Sequence, residues 1–394
     1  MAFTILSLDG GGSWAYLQAM ALKAIYPDKS TKEILGQFDL VTANSGGSLM
    51  LACMIEFDSM DEAGGIFLSE DARRSVFSDL LPGEKTLIER VAEIAGLGPK
   101  YKTTRKLTGI ENALPKYGKE LLQNIPERLG LKTQFLITTY DYDLQRAVYM
   151  RSDTKASNGT KYEHTLGQAV HAASNAPINY FDDPAQFSYQ NSPRRFWDGA
   201  VGGNNNPALV GVTEAMGIYK AKASDIRLLS IGTANVVLPI EGLSGFAADK
   251  PYLLHKRDKA KLTNDVMKMA NCILQEPTDA ATYMSHIILG GDATNGAVPR
   301  IVRFNPLIQP FLMDNVWKVP AGFREDFFQM LIDLDMDAVK QDEVNLIAYL
   351  GAMWIADKVK NQPVRADGRT LQTEIGHATF SEAKQAWLNS EAMA

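Results

Sequence analysis

Ser45 has the surroundings of a nucleophile. It stands in Phe38-Asp39-Leu40-Val41-Thr42-Ala43-Asn44-Ser45-Gly46-Gly47-Ser48, which runs on into Leu49-Met50-Leu51-Ala52-Cys53-Met54-Ile55. The pattern reads as a short buried strand, a tight turn of small residues and a buried helix, with Ser45 at the tip. A crowded strand-to-helix turn pushes a serine hydroxyl out of the sheet. The amide of Gly46, at the helix N-terminus, then points toward any negative charge that forms there. Small residues at 43, 46 and 47 suit a turn in which backbone passes close to backbone. The usual G-x-S-x-G is present as A-N-S-G-G, with Ala43 for the first glycine. Ser-Gly-Gly turns are common, so catalysis requires that other segments supply a base and an oxyanion hole.

Two other stretches could supply them. The strand-like Phe3 to Leu8 leads into Asp9-Gly10-Gly11-Gly12 and a helix-like run from Ser13 to Leu22. Strand, glycine loop and helix in that order present free amides with no side chains in the way, a cradle for a phosphate or a transition-state oxyanion. The loop lacks the G-K-[ST] ending of a nucleotide P-loop, and its spacing is not G-x-G-x-x-G. The plainer reading is a glycine turn joining strand to helix. Further on, Phe196-Trp197 leads into Asp198-Gly199-Ala200-Val201-Gly202-Gly203-Asn204-Asn205-Asn206-Pro207. An aspartate after a strand, in a glycine-rich turn, is a reasonable general base; its plainer reading is an ordinary Asp-Gly turn.

The chain must position these groups. Its 394 residues, 45% of them hydrophobic, suffice for one large or two ordinary domains. A net charge of −6 and a pI near 5.5 argue against broad electrostatic binding to nucleic acid. With two cysteines, Cys53 and Cys272, a disulfide framework is not indicated and a reducing compartment is expected. No basic and apolar leader opens the sequence, and no apolar run reaches the ~18 residues of a membrane span. The expectation is a soluble, cytoplasmic protein.

Strands alternating with helices over residues 1–235 predict an α/β fold: a three-layer α/β/α arrangement with a mainly parallel central sheet. Phe135 to Tyr140 is a strand, paired with Ala147 to Met150. Thr165 to Ser174 is a helix, and Arg227 to Thr233 and Arg300 to Phe304 are strands. Residues 56–130 form a helical insertion. Thr86 to Glu89 opens an amphipathic helix through Ile94, followed by Lys100, Tyr101, Lys102, Arg105 and Lys106. The functional reading of this insertion is a mobile lid with cations for lipid phosphates; the favoured, plainer one is a solvated helical segment. Lys256 to Leu274, Phe323 to Leu334 and Glu343 to Val359 are expected helices, and Glu374 to Ala394 a loosely attached helical tail. His171, alone on an apolar helix, reads as a packing residue. Asp333, Asp335 and Asp337 lack the glycine and bidentate glutamate of a calcium loop, since Ala338 and Val344 hold those places.

In a parallel sheet the C-terminal strand ends share one edge, so the glycine loop, the serine elbow and the Asp198 turn can converge there. Asp9-Gly10-Gly11-Gly12, the Ser45 elbow, Ala173-Ser174-Asn175-Ala176-Pro177-Ile178-Asn179-Tyr180-Phe181 and Asp198-Gly199-Ala200 resemble, in order, four blocks of the patatin-like phospholipase family. Asn205-Asn206-Pro207 and Leu229-Ser230-Ile231-Gly232-Thr233 resemble the next two. The resemblance covers residues 1–235 and extends to Phe304. It implies a lipid acyl hydrolase domain over 1–306, with 56–130 as a candidate lid and a C-terminal helical region, 307–394, packed on the core.

It further implies a Ser-Asp dyad: Ser45 attacks an ester carbonyl to give an acyl-enzyme, and Asp198 takes the proton and later activates water. Amides of Gly10, Gly11, Gly12 and Gly46 would hold the oxyanion. No cofactor or metal is implied. The partner would be membrane lipid, with peripheral membrane contact and a possible activator or homo-oligomer. Trp14 stands where the family usually has a basic residue, which leaves the role of that charge unfilled.

Two rivals differ in what they demand. An α/β-hydrolase esterase would use Ser45, Asp198 and a histidine base, His286 or His377. A non-enzymatic anion- or nucleotide-binding module would use the glycine loop alone. A further expectation, from the absent export signal and the candidate lid, is a regulated effector acting on membranes.

Overall fold

Leu6 and Leu8 pack into one apolar cluster and Ile5 into another, so the first strand is buried on both faces. That is what a near-continuous apolar run demands of a strand covered by helices on both sides. The computed structural model describes residues 2–81, 84, 98–155, 163–178, 180–243, 245–257, 261–291, 300–365 and 374–392. The expected helix from Thr86 to Ile94 lies outside the described residues.

The central sheet has eight strands. They include β1 (Phe3–Leu8), β2 (Leu40–Ala43), β3 (Gln134–Asp141), β4 (Arg146–Arg151), β5 (Ala185–Tyr189), β6 (Ser192–Asp198) and β7 (Ile226–Ile231). Two short strands, β8 (Asn235–Val236) and β9 (Ala247–Ala248), lie outside it, and β10 (Ile301–Phe304) closes one edge. The order is β10-β7-β1-β2-β3-β6-β5, with β4 also on β3. The pairs from β10 through β3 are all parallel; β4 and β6 pair antiparallel with β3, and β5 antiparallel with β6. Leu8 sits opposite both Ala43 and Ile231, so β1, β2 and β7 end level with one another.

The two sheet faces are covered unequally. Leu6, Leu8, Val41, Ala43, Ile137, Leu229 and Phe304 join the large cluster, which includes the helices Tyr16–Ile25, Ser45–Glu56 and Gln341–Ile355. Ile5, Leu228 and Ile301 face the helix Ala208–Gly217 through Ala208, Val212 and Ala215. This is the expected three-layer, mainly parallel α/β/α fold. The insertion does not stand off in solvent: Met60, Phe67, Val76, Ile110, Leu122 and Ile125 are all buried in the large cluster. Apolar spacing on each short helix buries one face and leaves charge on the other.

Two sequence expectations are corrected. The helix after Lys256 begins at Leu262 and continues through Pro277 to Ile288, because Ala281, Thr282, Ser285 and His286 beyond the proline are buried. The final helix, Phe380–Ala392, is not loosely attached. Trp387 is fully buried, its indole N–H donates to the Tyr26 hydroxyl at 2.6 Å, and the Arg227 guanidinium lies 4.8 Å from its ring centre. The tryptophan anchors a helix whose other residues are largely polar. Trp387→Ala is therefore expected to cost about 3–5 kcal/mol of unfolding free energy. A loss below about 1 kcal/mol in chemical denaturation would show that the tail contributes little.

Candidate active site

The elbow forms at the end of β2. Asn44 is extended, and Ser45 takes a left-handed φ of 46° before the helix Ser45–Glu56 begins. A non-glycine residue in that region carries local strain, held in place by its surroundings. Here the Ser48 hydroxyl donates to the Ser45 carbonyl at 2.6 Å, and Gly46 and Gly47 let the turn press against β1 and the glycine loop. A methyl group on Gly46 would fall 2.5 Å from the Gly12 carbonyl oxygen and 2.7 Å from its nitrogen.

Asp198 arrives by a route the sequence did not suggest. Its strand, β6, is antiparallel to β3, so its C-terminal end does not belong to the shared edge of the parallel strands. It reaches the edge because β6 pairs only with the last residues of β3: Asp198 lies opposite Thr139, two residues past the Ile137–Ala43 pair. The carboxylate is buried. Its Oδ1 accepts from the Asn44 side-chain amide and from the Ala200 backbone, each at 2.9 Å, and the Ser45 hydroxyl faces it as a further hydrogen-bonding partner. Asn44 is fixed in turn by the Thr138 hydroxyl, which donates to its Oδ1 at 2.7 Å. Burial raises the Asp198 pKa above the ordinary carboxylate value. The Ala200, Ser45 and Asn44 donors and the Lys106 charge pull it back in part. A carboxylate held this way can accept a proton from the neighbouring hydroxyl.

The glycine loop lies directly against the elbow. A methyl on Gly10 would fall 2.9 Å from the Ser45 Cβ. The Gly10 amide is already used, donating to the Asn205 carbonyl at 2.8 Å, so Gly10 shapes the loop rather than offering a donor. Among the described residues the amides of Gly11, Gly12 and Gly46 have no protein acceptor. Gly12 is left-handed at φ 55°, and Ser13 donates to the Met336 carbonyl at 3.0 Å. The strap at 335–336 thus lies across the loop. Trp14 serves the same strap, its buried indole donating to the Asp335 carbonyl at 3.1 Å. Asp9, just before the loop, is paired with Arg303 of β10, whose guanidinium forks onto its carboxylate at 2.9 and 2.5 Å.

Beside Gly12 opens an almost wholly apolar cavity, lined by Leu49, Cys53, Phe67, Val76 and Ile110 among others. Leu49 and Cys53 come from successive turns of the helix that begins with Ser45. The Cys53 thiol is free, and burial pushes its pKa up to about 12, so it behaves as an apolar wall.

The cations of the insertion are committed. Lys100 pairs with Asp335 and Asp337, Lys102 with Asp182 at 2.6 Å, and Arg105 with Glu84 at 2.6 Å. Lys106 is fully buried. Lys106 is withdrawn from solvent, and Lys100, Lys102 and Arg105, though partly exposed, are each paired with a carboxylate, so the expectation of a freely solvated segment is corrected as well. His171 is packed, with its pKa lowered to about 3 by burial and then by the Lys106 charge. His286 packs its ring against Gly291, eight residues along its helix from Thr278, about 12 Å at the helical rise. Thr278 and Thr282 of that helix both reach Asn206, the Thr278 carbonyl accepting from its side-chain amide at 3.0 Å and the Thr282 hydroxyl at 2.7 Å. His377 is half-buried, with Glu382 as its charged neighbour. Neither histidine is among the groups that shift the Asp198 carboxylate.

A family model described as patatin-like phospholipase matches residues 6–211, just over half of the chain. The chain belongs to the patatin-like phospholipase family. That membership places it among lipid hydrolases. No curated protein matches it. Among solved structures it is similar to VipD from Legionella pneumophila, at 10% identity and a TM-score of 0.33, over 100% of this chain and 74% of that one. It is also similar to the type III effector protein ExoU, at 9% identity and 0.29, over 89% of this chain and 53% of that one. At such scores neither likeness bears on the chemistry of this chain.

The structure brings Ser45, Asp198 and the glycine loop of this patatin-like phospholipase together at one sheet edge. Sequence reasoning missed Asn44, which joins Asp198 to Thr138, and Lys106. The position of Asn44 next to the nucleophile was a usable signal. For Lys106 there was none, since a lysine in a basic run reads as exposed.

Proposed function

We propose that this protein is a phospholipase A-type acyl hydrolase working through Ser45 and Asp198. The observation that carries the reading is the Ser45 hydroxyl facing a buried carboxylate beside free glycine amides, with an apolar cavity opening at Gly12. A membrane lipid presents its ester carbonyl to Ser45 with its acyl chain running toward the apolar wall of Leu49 and Cys53, where the cavity, about 30 Å³, must widen to take it. Ser45 attacks as Asp198 takes its proton, and the amides of Gly11, Gly12 and Gly46 hold the oxyanion. Collapse expels the alcohol portion, protonated by Asp198, and leaves an acyl-serine. Asp198 then removes a proton from water, whose attack on the acyl carbonyl expels the Ser45 oxygen; Asp198 returns the proton to Ser45 and the fatty acid leaves. The chemistry calls for no cofactor.

The lipid substrate implies peripheral membrane contact, consistent with a fold in which, among the described residues, no helix is long and apolar enough to cross a bilayer. Mass spectrometry of lipids released from mixed vesicles tests the reading, with Ser45→Ala and Asp198→Asn alongside. Free fatty acid from the wild type alone supports it; equal release from either variant overturns it. Control by an activator belongs to the same reading, and full constitutive turnover by the purified protein would remove it.

Gly46→Ala tests the oxyanion hole separately. Its methyl would press on Gly12 and push two donors apart, so kcat is expected to fall about 10²–10³-fold. An unchanged kcat would place the oxyanion elsewhere.

A further inference from the structure

The glycine loop borders two cavities of opposite character. Gly12 and Ser13 line the apolar one. Asp9, Gly10 and Gly11 line the other, which is polar and already open at about 360 Å³, within the range of about 300–1,000 Å³ that small-molecule sites occupy.

This second cavity begins beside the nucleophile. A methyl on Gly10 would fall 2.9 Å from the Ser45 Cβ and 2.2 Å from the side-chain oxygen of Asn205, which lines the cavity. The Asn44 amide that donates to Asp198 at 2.9 Å also reaches that oxygen at 3.4 Å. Where β7 and β10 end, the polar wall continues in Thr233, Asn235, Asn305 and Gln362. The Thr233 hydroxyl donates to the Gly10 carbonyl at 2.7 Å and keeps its lone pairs for another donor. Among the described residues the half-buried side-chain amide of Asn235 has no protein partner.

Charge in this lining is matched. Arg303 forks onto Asp9 at 2.9 and 2.5 Å and donates to the Ser230 hydroxyl at 2.7 Å. Asp335 pairs with Lys100 at 2.9 Å. Behind the lining, Asp279 accepts from the Gln362 amide at 2.9 Å. Among the described residues the cavity thus offers neither a free cation to a phosphate nor a free carboxylate to an ammonium. Burying either ion without a counter-charge is costly. Amides and hydroxyls instead suit the paired donor and acceptor of an alcohol.

We propose that this cavity is the headgroup site for the ester hydrolysis, and that it selects a hydroxyl-bearing head, such as glycerol or a sugar, over one ending in an ammonium. The inference rests on the reading of Ser45 as the nucleophile. The loop then sorts an amphiphile, with the ester carbonyl at the glycine amides, the acyl chain on the Gly12 side and the head on the Gly10–Gly11 side.

The test is kcat/KM of the full chain on mixed micelles, each holding one lipid with the same acyl chains: phosphatidylglycerol, phosphatidylmethanol or phosphatidylcholine. The first two carry the same charge and differ in their hydroxyls. Phosphatidylglycerol is expected to exceed both others about tenfold, the effect of one or two net hydrogen bonds. Asn235→Leu removes an amide from the wall and should cut the phosphatidylglycerol-to-phosphatidylmethanol ratio several-fold. Asn235→Asp sets an unmatched carboxylate there and should lower the phosphatidylglycerol-to-phosphatidylcholine ratio about tenfold. Ratios within one variant do not depend on the fraction of protein that folds. Equal kcat/KM on phosphatidylglycerol and phosphatidylmethanol, or ratios that neither substitution moves, would overturn the headgroup site and leave the nucleophile in place. Fatty acid release by Ser45→Ala equal to that of the wild type would remove both.

Discussion

Ser45→Ala is expected to abolish covalent labelling by a fluorophosphonate and to lower ester hydrolysis by about 10⁴–10⁶-fold. The size follows from the chemistry. Without the hydroxyl no acyl-enzyme forms, and what remains is binding plus the oxyanion donors acting on water. The substitution removes one small polar atom from a partly buried elbow, so the melting temperature should barely move; relief of the left-handed strain is not expected, since alanine faces the same φ. Intact-protein mass spectrometry after probe treatment checks the label, and a chromogenic ester checks the rate. A labelled alanine variant would mean that another nucleophile reacts, and the site would lose its central residue.

Asp198→Asn is expected to lower kcat/KM about 10²–10⁴-fold and to change the pH profile as well as the rate. In the wild type, burial raises the Asp198 pKa, with partial compensation from Ala200, Ser45, Asn44 and Lys106. The base must be ionised to work. Activity therefore falls as pH drops through that raised value, at a higher pH than an ordinary carboxylate would give. The asparagine variant has no such group, so its residual activity should lack that limb. A variant with the wild-type limb intact would assign the limb to a different acid and remove Asp198 from the mechanism. The histidine alternative makes the opposite forecast: replacing His286 and His377 with alanine would then silence the enzyme. Their placement, one against Gly291 and one beside Glu382, leads us to expect retained activity.

The insertion shows how local reading goes astray. Lys100, Tyr101, Lys102, Arg105 and Lys106 look like a wet, basic loop because nothing nearby in the chain neutralises them. Their partners are distant: Asp335 and Asp337 for Lys100, Asp182 for Lys102, the Ser174 carbonyl for Lys106. Likewise the final helix looks detachable by composition, and only the pocket built by Tyr26 and Arg227 makes Trp387 an anchor.

Alone, the sequence determined the layered α/β fold, because alternating apolar strands and helices can bury both faces of a sheet in few other ways. It also determined the three turns that carry Ser45, Asp198 and the glycine loop, because small residues and Asp-Gly pairs are local signals of backbone geometry. The tertiary structure decided that Asp198 approaches on an antiparallel strand, that Gly10 spends its amide on Asn205, and that Lys106 is sealed in the interior on the Ser174 carbonyl. Those outcomes depend on register and on which distant groups meet in a low-dielectric interior. Neither is encoded in any window of neighbouring residues.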